Sequence, residues 1–188
     1  MSFEEPQYQS LLIRELCSII ALPFTTRDLI QKKLGSKGLR IPTFRMVSYN
    51  CLKVLEKCLS TITQLVPFLV DHSILQLYDS LLEPCKLKYR SDAQLCTGEY
   101  LWKGASSILC DLSCRICESL ITDAQRFDDQ KLRKQDFYAL WSRILKFFES
   151  CFLSCENRKL VNEFQSFDLE ISRRLEEAFS RLIREKNP

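Results

Sequence analysis

Ten cysteines and one histidine are the residues through which this sequence could do chemistry, and their spacing decides which chemistry is open to them. Cys51 and Cys58 stand seven apart, Cys110, Cys114 and Cys117 fall at i, i+4 and i+7, and Cys151 and Cys155 stand four apart. Each set follows the helical period, so its sulfurs share a helix face with leucine, isoleucine and phenylalanine. A small, polarisable hydrophobe packs well there, and reduced cysteines on buried helix faces are the expectation. A structural zinc site usually draws its ligands from two short Cys or His pairs. The chain offers one CxxC, Cys114-Arg115-Ile116-Cys117, and one histidine, His72, which follows Asp71 at a predicted helix start. No metal and no cofactor is expected. As a redox centre, the same CxxC would want a strand-to-helix junction that lowers one thiol pKa, whereas here it lies inside a helical pattern.

Catalysis of the common kinds needs a nucleophile or metal beside an oriented base, most often histidine. His72 is the sole histidine available. No GxSxG elbow, P-loop, GxGxxG, HExxH or EF-hand loop occurs in the sequence. The acid pairs Asp128-Asp129 and Glu176-Glu177 lie in highly charged stretches, where neighbouring carboxylates are solvated surface. The expectation is a protein with no catalytic residues.

Two features point to binding instead. From Leu29 to Leu55 no acid occurs, while Lys32, Lys33, Lys37, Arg40, Arg45 and Lys53 all fall in that interval, with Lys86, Lys88 and Arg90 as a second cluster. Lysines and arginines on phosphates would bind RNA or DNA in a salt-dependent way, with Phe44 or Tyr49 available to stack on bases. A net charge of +3 and a pI near 8.3 fall short of a dedicated nucleic-acid domain, so a solvated lysine-rich loop is the plainer reading. The second feature is the stripe Phe164, Phe167, Ile171, Leu175, Phe179 and Leu182 near the C-terminus, which repeats every three or four residues. It can finish the chain's own core, dock in a partner's groove, or pair with a second copy as a homodimer.

All of these residues require helices to position them. The pattern predicts a first helix over 7–21 stopped by Pro23, and a short second helix opened by the capping box Thr25-Thr26-Arg27-Asp28. A basic, glycine-containing loop follows over 35–42. A long third helix carries Phe44, Val47, Cys51, Val54, Leu55, Cys58, Ile62 and Leu65 inward until Pro67. A fourth over 73–82 ends before Pro84, and a fifth spans 92–122, where Gly98 and Gly104 mark a kink or a close helix contact. Phe137, Leu140, Trp141, Ile144, Leu145, Phe148, Cys151 and Phe152 stripe the sixth, and the amphipathic C-terminal helix completes the set. The fold expected is all-α: a single domain over 1–188, a bundle of about six or seven helices with long third, fifth and C-terminal members and a short tail over 1–6.

Composition agrees. With 46% apolar and 27% charged residues and only four glycines and six prolines, the chain has the makings of a helical core and few of the turns an all-β domain needs. Early acids at Glu4 and Glu5 and the charges Arg14 and Glu15 argue against a signal peptide, and no apolar run of about 18 residues suggests a membrane span. An intracellular protein of nucleus or cytoplasm is expected. The order Leu52-Lys53-x-Leu55-x-Lys57-Cys58-Leu59, a cysteine-rich helix, then Leu140-Trp141-Ser142-Arg143-Ile144 resembles the N-terminal helical domain of the nucleolus and neural progenitor proteins. That resemblance rests on leucines, cysteines and a tryptophan at helical spacing, and would imply nucleolar RNA binding. The leading expectation is a non-catalytic helical module that binds a protein partner as a subunit or adaptor of a larger complex. The alternative is a ribonucleoprotein subunit using Lys32 to Arg45.

Overall fold

A computed structural model describes the backbone of residues 5–25, 41–85, 98–122, 134–156 and 162–186. Among these residues the chain is all-α. In order, the helices are α1 (Pro6–Thr25), α2 (Ile41–Thr61), α3 (Val66–Val70), α4 (Ser73–Cys85), α5 (Gly98–Thr122), α6 (Lys134–Glu156) and α7 (Asn162–Lys186). The expected second helix falls on residues outside those described, as does most of the 35–42 loop.

The bundle is organised around its shortest substantial helix. α4 has only thirteen residues, yet Ser73, Ile74, Leu75, Leu77, Tyr78, Leu81, Pro84 and Cys85 are all buried. Apolar residues so closely spaced wrap around a helix rather than forming one stripe, and a helix apolar nearly all round must be enclosed. α1, α5 and α6 enclose it. The longer helices each bury one face: α1 packs on α2, α2 on α5, and α7 on both α5 and α6. α5 supplies the largest buried side chain, Trp102, together with Leu101, Leu109 and Ile116. Inside this core the Tyr78 hydroxyl sits 2.6 Å from Ser113 Oγ, and Ser113 donates to the Leu109 carbonyl at 2.7 Å. With the serine hydrogen used there, the tyrosine is the donor, and both buried hydroxyls are satisfied.

The prolines punctuate the chain less sharply than expected. α1 continues through Pro23 to Thr25, α2 begins at Ile41 so that Pro42 lies in its first turn, and α4 continues through Pro84 to Cys85. At a helix start the absent N–H has no partner to lose, and near the end it forfeits at most one bond. The long helix also breaks earlier than Pro67. α2 stops at Thr61, and Pro67 instead opens the short α3. Ile62 and Leu65 are buried in the intervening segment. Arg115 of α5 donates to the carbonyls of Leu59 (2.9 Å) and Ile62. A cation there meets the negative end of the α2 dipole, where the regular helical ladder ends and the Leu59 carbonyl also accepts the Ile62 N–H at 3.3 Å.

Three expected core positions are exposed: Val47, Val54 and Leu145. α2 has two main neighbours, α1 and α5, so an apolar stripe wider than those contacts leaves its margins in solvent. Gly104 marks a close helix contact rather than a break. A Cβ built on it would lie 2.7 Å from Leu52 Cδ2, so the missing side chain lets α2 and α5 approach.

The turn between α3 and α4 is tied to α1. The Ser10 hydroxyl donates to Asp71 Oδ2, Arg14 donates to the Asp71 carbonyl, and Asp71 Oδ1 accepts the Ser73 N–H at 2.9 Å. Asp71 thus caps α4, and His72 takes the left-handed backbone conformation, with φ 64°.

Candidate functional site

Of the basic residues that could hold nucleic acid, Lys32, Lys33, Lys37 and Arg40 lie outside the described residues. Arg45 falls in α2 with its side chain outside the description. Lys53 is exposed on the same helix, its ammonium 4.7 Å from the centre of the Tyr49 ring. Cation and ring here serve each other on one helix face, one turn apart.

The C-terminal stripe changes character along α7. Phe164 has its side chain outside the description. Phe167 meets Trp102 edge-on at 5.2 Å, and Ile171 and Leu175 are fully inside the core. Further along, Phe179 packs against Trp141 and Phe148 at 5.9 and 5.7 Å, but Phe179 and Leu182 are only half-covered. Ile183, next in line, is 61% exposed. The first turns of the stripe therefore hold the bundle together, while its last turns emerge from it.

The described cysteines are all free thiols: Cys17, Cys85, Cys110, Cys117 and Cys151 are buried, and Cys51, Cys58 and Cys114 are half-buried. Cys96 lies outside the described residues, and Cys155 falls in α6 with its side chain outside the description. Burial pushes Cys17 up to about 12 and Cys117 to about 11, and raises Cys51 and Cys58 from the ordinary value of 9.0. A desolvated thiol resists ionisation. Cys114 departs from this pattern. Its pKa is lowered, chiefly by the Cys110 thiol one turn before it, against the effect of partial burial. The same neighbour, with burial, raises Cys110.

Arg174 of α7 adds positive charge beside this pair. Its guanidinium is 2.5 Å from Asp111 Oδ1 on α5, and its backbone carbonyl accepts a hydrogen bond from the Cys114 thiol at 3.9 Å. Two grooves meet at these residues. One, of about 540 Å³, runs between α2, α5 and α7 past Glu56, Cys114, Arg115 and Arg174. The other, of about 320 Å³, lies between α5 and α7 past Cys114, Cys117, Glu118 and Arg181. A third groove, of about 510 Å³, sits where the start of α1 meets α2 and α3, and Cys58 lines it. Among the described residues no three His, Cys, Asp or Glu side chains converge as a metal site. His72 lies at the surface with Nδ1 3.8 Å from Asp136, away from these grooves.

Helical spacing placed Cys110, Cys114 and Cys117 on one face, and that face does turn inward. What spacing could not convey is that Arg174, some sixty residues later, arrives at Cys114. Its sequence signal is only a basic residue on the polar side of α7.

No helix among the described residues is long and apolar enough to cross a membrane. No known protein family matches the chain, and no solved structure matches it. The chain is similar to Protein MON2 of Saccharomyces cerevisiae, with 34% identity over 136 residues. The matched region is 66% of this chain and 8% of that protein, so the chain spans a small part of the length of the curated relative it matches.

Proposed function

We propose that this chain is a non-catalytic helical interaction module that works as a subunit or adaptor of a larger protein assembly. The observation that carries the reading is the similarity to a short stretch of a far longer protein. A helical bundle that recurs as a small part of a long chain is a building unit with neighbours to pack against.

The partner surface we assign is the end of α7, where Phe179 and Leu182 are half-covered and Ile183 is exposed. Amphipathic helices commonly engage partners through anchors at this spacing. Its role is tested with Ile183→Arg. The substitution puts a cation near a helix C-terminus, where it is tolerated, at a position outside the core. Recovery of the co-purifying protein should fall about tenfold, the loss of one modest interface anchor, with helicity and melting temperature unchanged. Undiminished recovery would remove the end of α7 from the interface.

A further inference from the structure

The long-range contacts of this bundle repeat in one direction along the chain. α1 meets α4 through Ser10 on Asp71 and Cys17 beside Ser80, and α4 meets α6 through His72 beside Asp136 and Asp79 paired with Arg143. Rising numbers match rising numbers, so α1, α4 and α6 run parallel as one layer. α2 meets α5 through Leu52 at Gly104 and Leu59 at Arg115, and α5 meets α7 through Trp102 on Phe167 and Asp111 on Arg174. These three helices form a second parallel layer. Between the layers α1 and α2 are antiparallel, because Ser48 near the start of α2 donates to the Ile20 carbonyl late in α1, while Cys58 shares a groove with Pro6 and Gln9. The chain is thus a stack of three antiparallel pairs, α1–α2, α4–α5 and α6–α7, each packed on the next. Partners in neighbouring pairs stand a similar distance apart in sequence: 61 residues for Ser10–Asp71, 64 for Asp79–Arg143, 56 for Leu59–Arg115 and 63 for Asp111–Arg174. Units that pack on their nearest neighbours at a steady step build a solenoid.

A stack has two ends, and its exposed apolar side chains gather there. Every exposed large apolar side chain described, Val70 on α3 apart, lies on the first or third pair, and none on the middle one. At about 100° per residue, Val54 stands some 200° round α2 from Leu52, which meets α5. Leu12 and Ile19 stand as far round α1 from Ser10 and Cys17, which meet α4. These residues therefore share the side of the first pair that faces away from the stack. Along α2 that side reads Val47, Cys51, Val54 and Cys58, at i, i+4, i+7 and i+11, with Val47 46% and Val54 49% exposed and both cysteines half-buried. The groove of about 510 Å³ runs between Cys58 and Leu12 along the same side. Terminal units of a stack that stay in water carry a polar outer face. The α1–α2 end does not.

We propose that the outer face of the α1–α2 pair is an interaction surface for a further antiparallel pair of amphipathic helices, from outside residues 1–188, that extends both layers of the stack. Both internal junctions already join pairs in this way, with α1 on α4 and α2 on α5, then α4 on α6 and α5 on α7, so an occupant of the same construction meets this face with a matching apolar side. A lone helix would cover one layer and leave the other in water. The charge set between Leu12 and Ile19 is Glu15, exposed, which opposes a polyanion on this face. The proposal rests on the reading of the chain as an assembly unit and adds a surface on a different pair from the end of α7.

The test places the photo-crosslinker p-benzoylphenylalanine at Glu15 or at Val54, one site at a time, in the full chain within the cells that make it, with exposed Glu118 of the middle pair as the control site. Mass spectrometry of the crosslinked peptides should find Glu15 joined to one amphipathic helix and Val54 to the next helix of the same sequence, outside residues 1–188. Val54→Arg should lower the crosslinking from Glu15 about tenfold, the loss of one interface anchor, with the melting temperature unchanged because Val54 is half-exposed. Ile183→Arg should leave crosslinking at both sites as it was, so a failure at the end of α7 does not carry over. Crosslinks into residues 1–188, whether of the same copy or a second one, into RNA, or into two unrelated proteins would overturn the proposal. So would yields no higher than at Glu118.

Discussion

Burial governs what single side chains do in this protein, including those that could titrate. Tyr78 is enclosed in the core, and among the described residues its hydroxyl is held by Ser113. Tyr78→Phe should cost about 1 kcal/mol in chemical denaturation, the net worth of one buried hydrogen bond, because Ser113 keeps its bond to the Leu109 carbonyl. The thiols and Tyr78 also set an alkaline limit. Cys17, Cys117 and Tyr78 all have folded-state pKa values raised by burial. For an acid raised in this way, the stabilisation is fully present below the unfolded value, 9.0 for the thiols. It is lost as pH rises from there toward about 12, since the unfolded chain ionises first. Under reducing conditions the denaturation midpoint should therefore fall steadily above pH 9.0. At His72 the left-handed backbone sets the rule: His72→Val should lose about 1–2 kcal/mol and His72→Gly should be tolerated. Spacing made the buried character of Cys110 and Cys117 legible in the sequence. The positive φ at His72 left no mark there, because it depends on Asp71 being held by Ser10 and Arg14 from a distant helix.

Helix existence was legible from periodicity, whereas helix ends were settled by tertiary contacts. Leu101, Trp102, Ile108, Leu109, Leu112, Ile116 and Leu120 are buried along α5, inside the predicted fifth helix. Prolines misled because a lost N–H is harmless in a first turn and costs little in a last one. The end of α2 is fixed instead by Arg115 on another helix, which no local pattern reveals. Arg115→Met, which keeps the bulk and removes the donors, should destabilise the fold by about 1–3 kcal/mol, the range for bonds from a charged group. A thermal melt checks it. The α2–α5 contact makes a graded prediction at Gly104. Alanine improves helix propensity by about 1 kcal/mol but pushes on Leu52, so Gly104→Ala should be close to neutral. Gly104→Leu should lose about 1–3 kcal/mol by overpacking.

As a whole, the molecule is a helical bundle whose C-terminal helix begins in the core and ends outside it. That helix was legible as an amphipathic stripe, but the division between Ile171 and Leu175, which are buried, and Ile183, which is exposed, depends on where α5 and α6 stop covering it. The acid-free interval holds six cations in a chain whose net charge is only +3, and the described part of it places Lys53 at the surface beside Tyr49. The chain is similar to a short segment of a much longer protein, and the role proposed above is that of a unit fitted to neighbours. The most direct test is affinity purification of the tagged full chain from the cells that make it, with and without nuclease. The account predicts stoichiometric protein partners that survive nuclease unchanged. Recovery of RNA with proteins that all vanish on nuclease treatment would contradict it and favour the ribonucleoprotein reading.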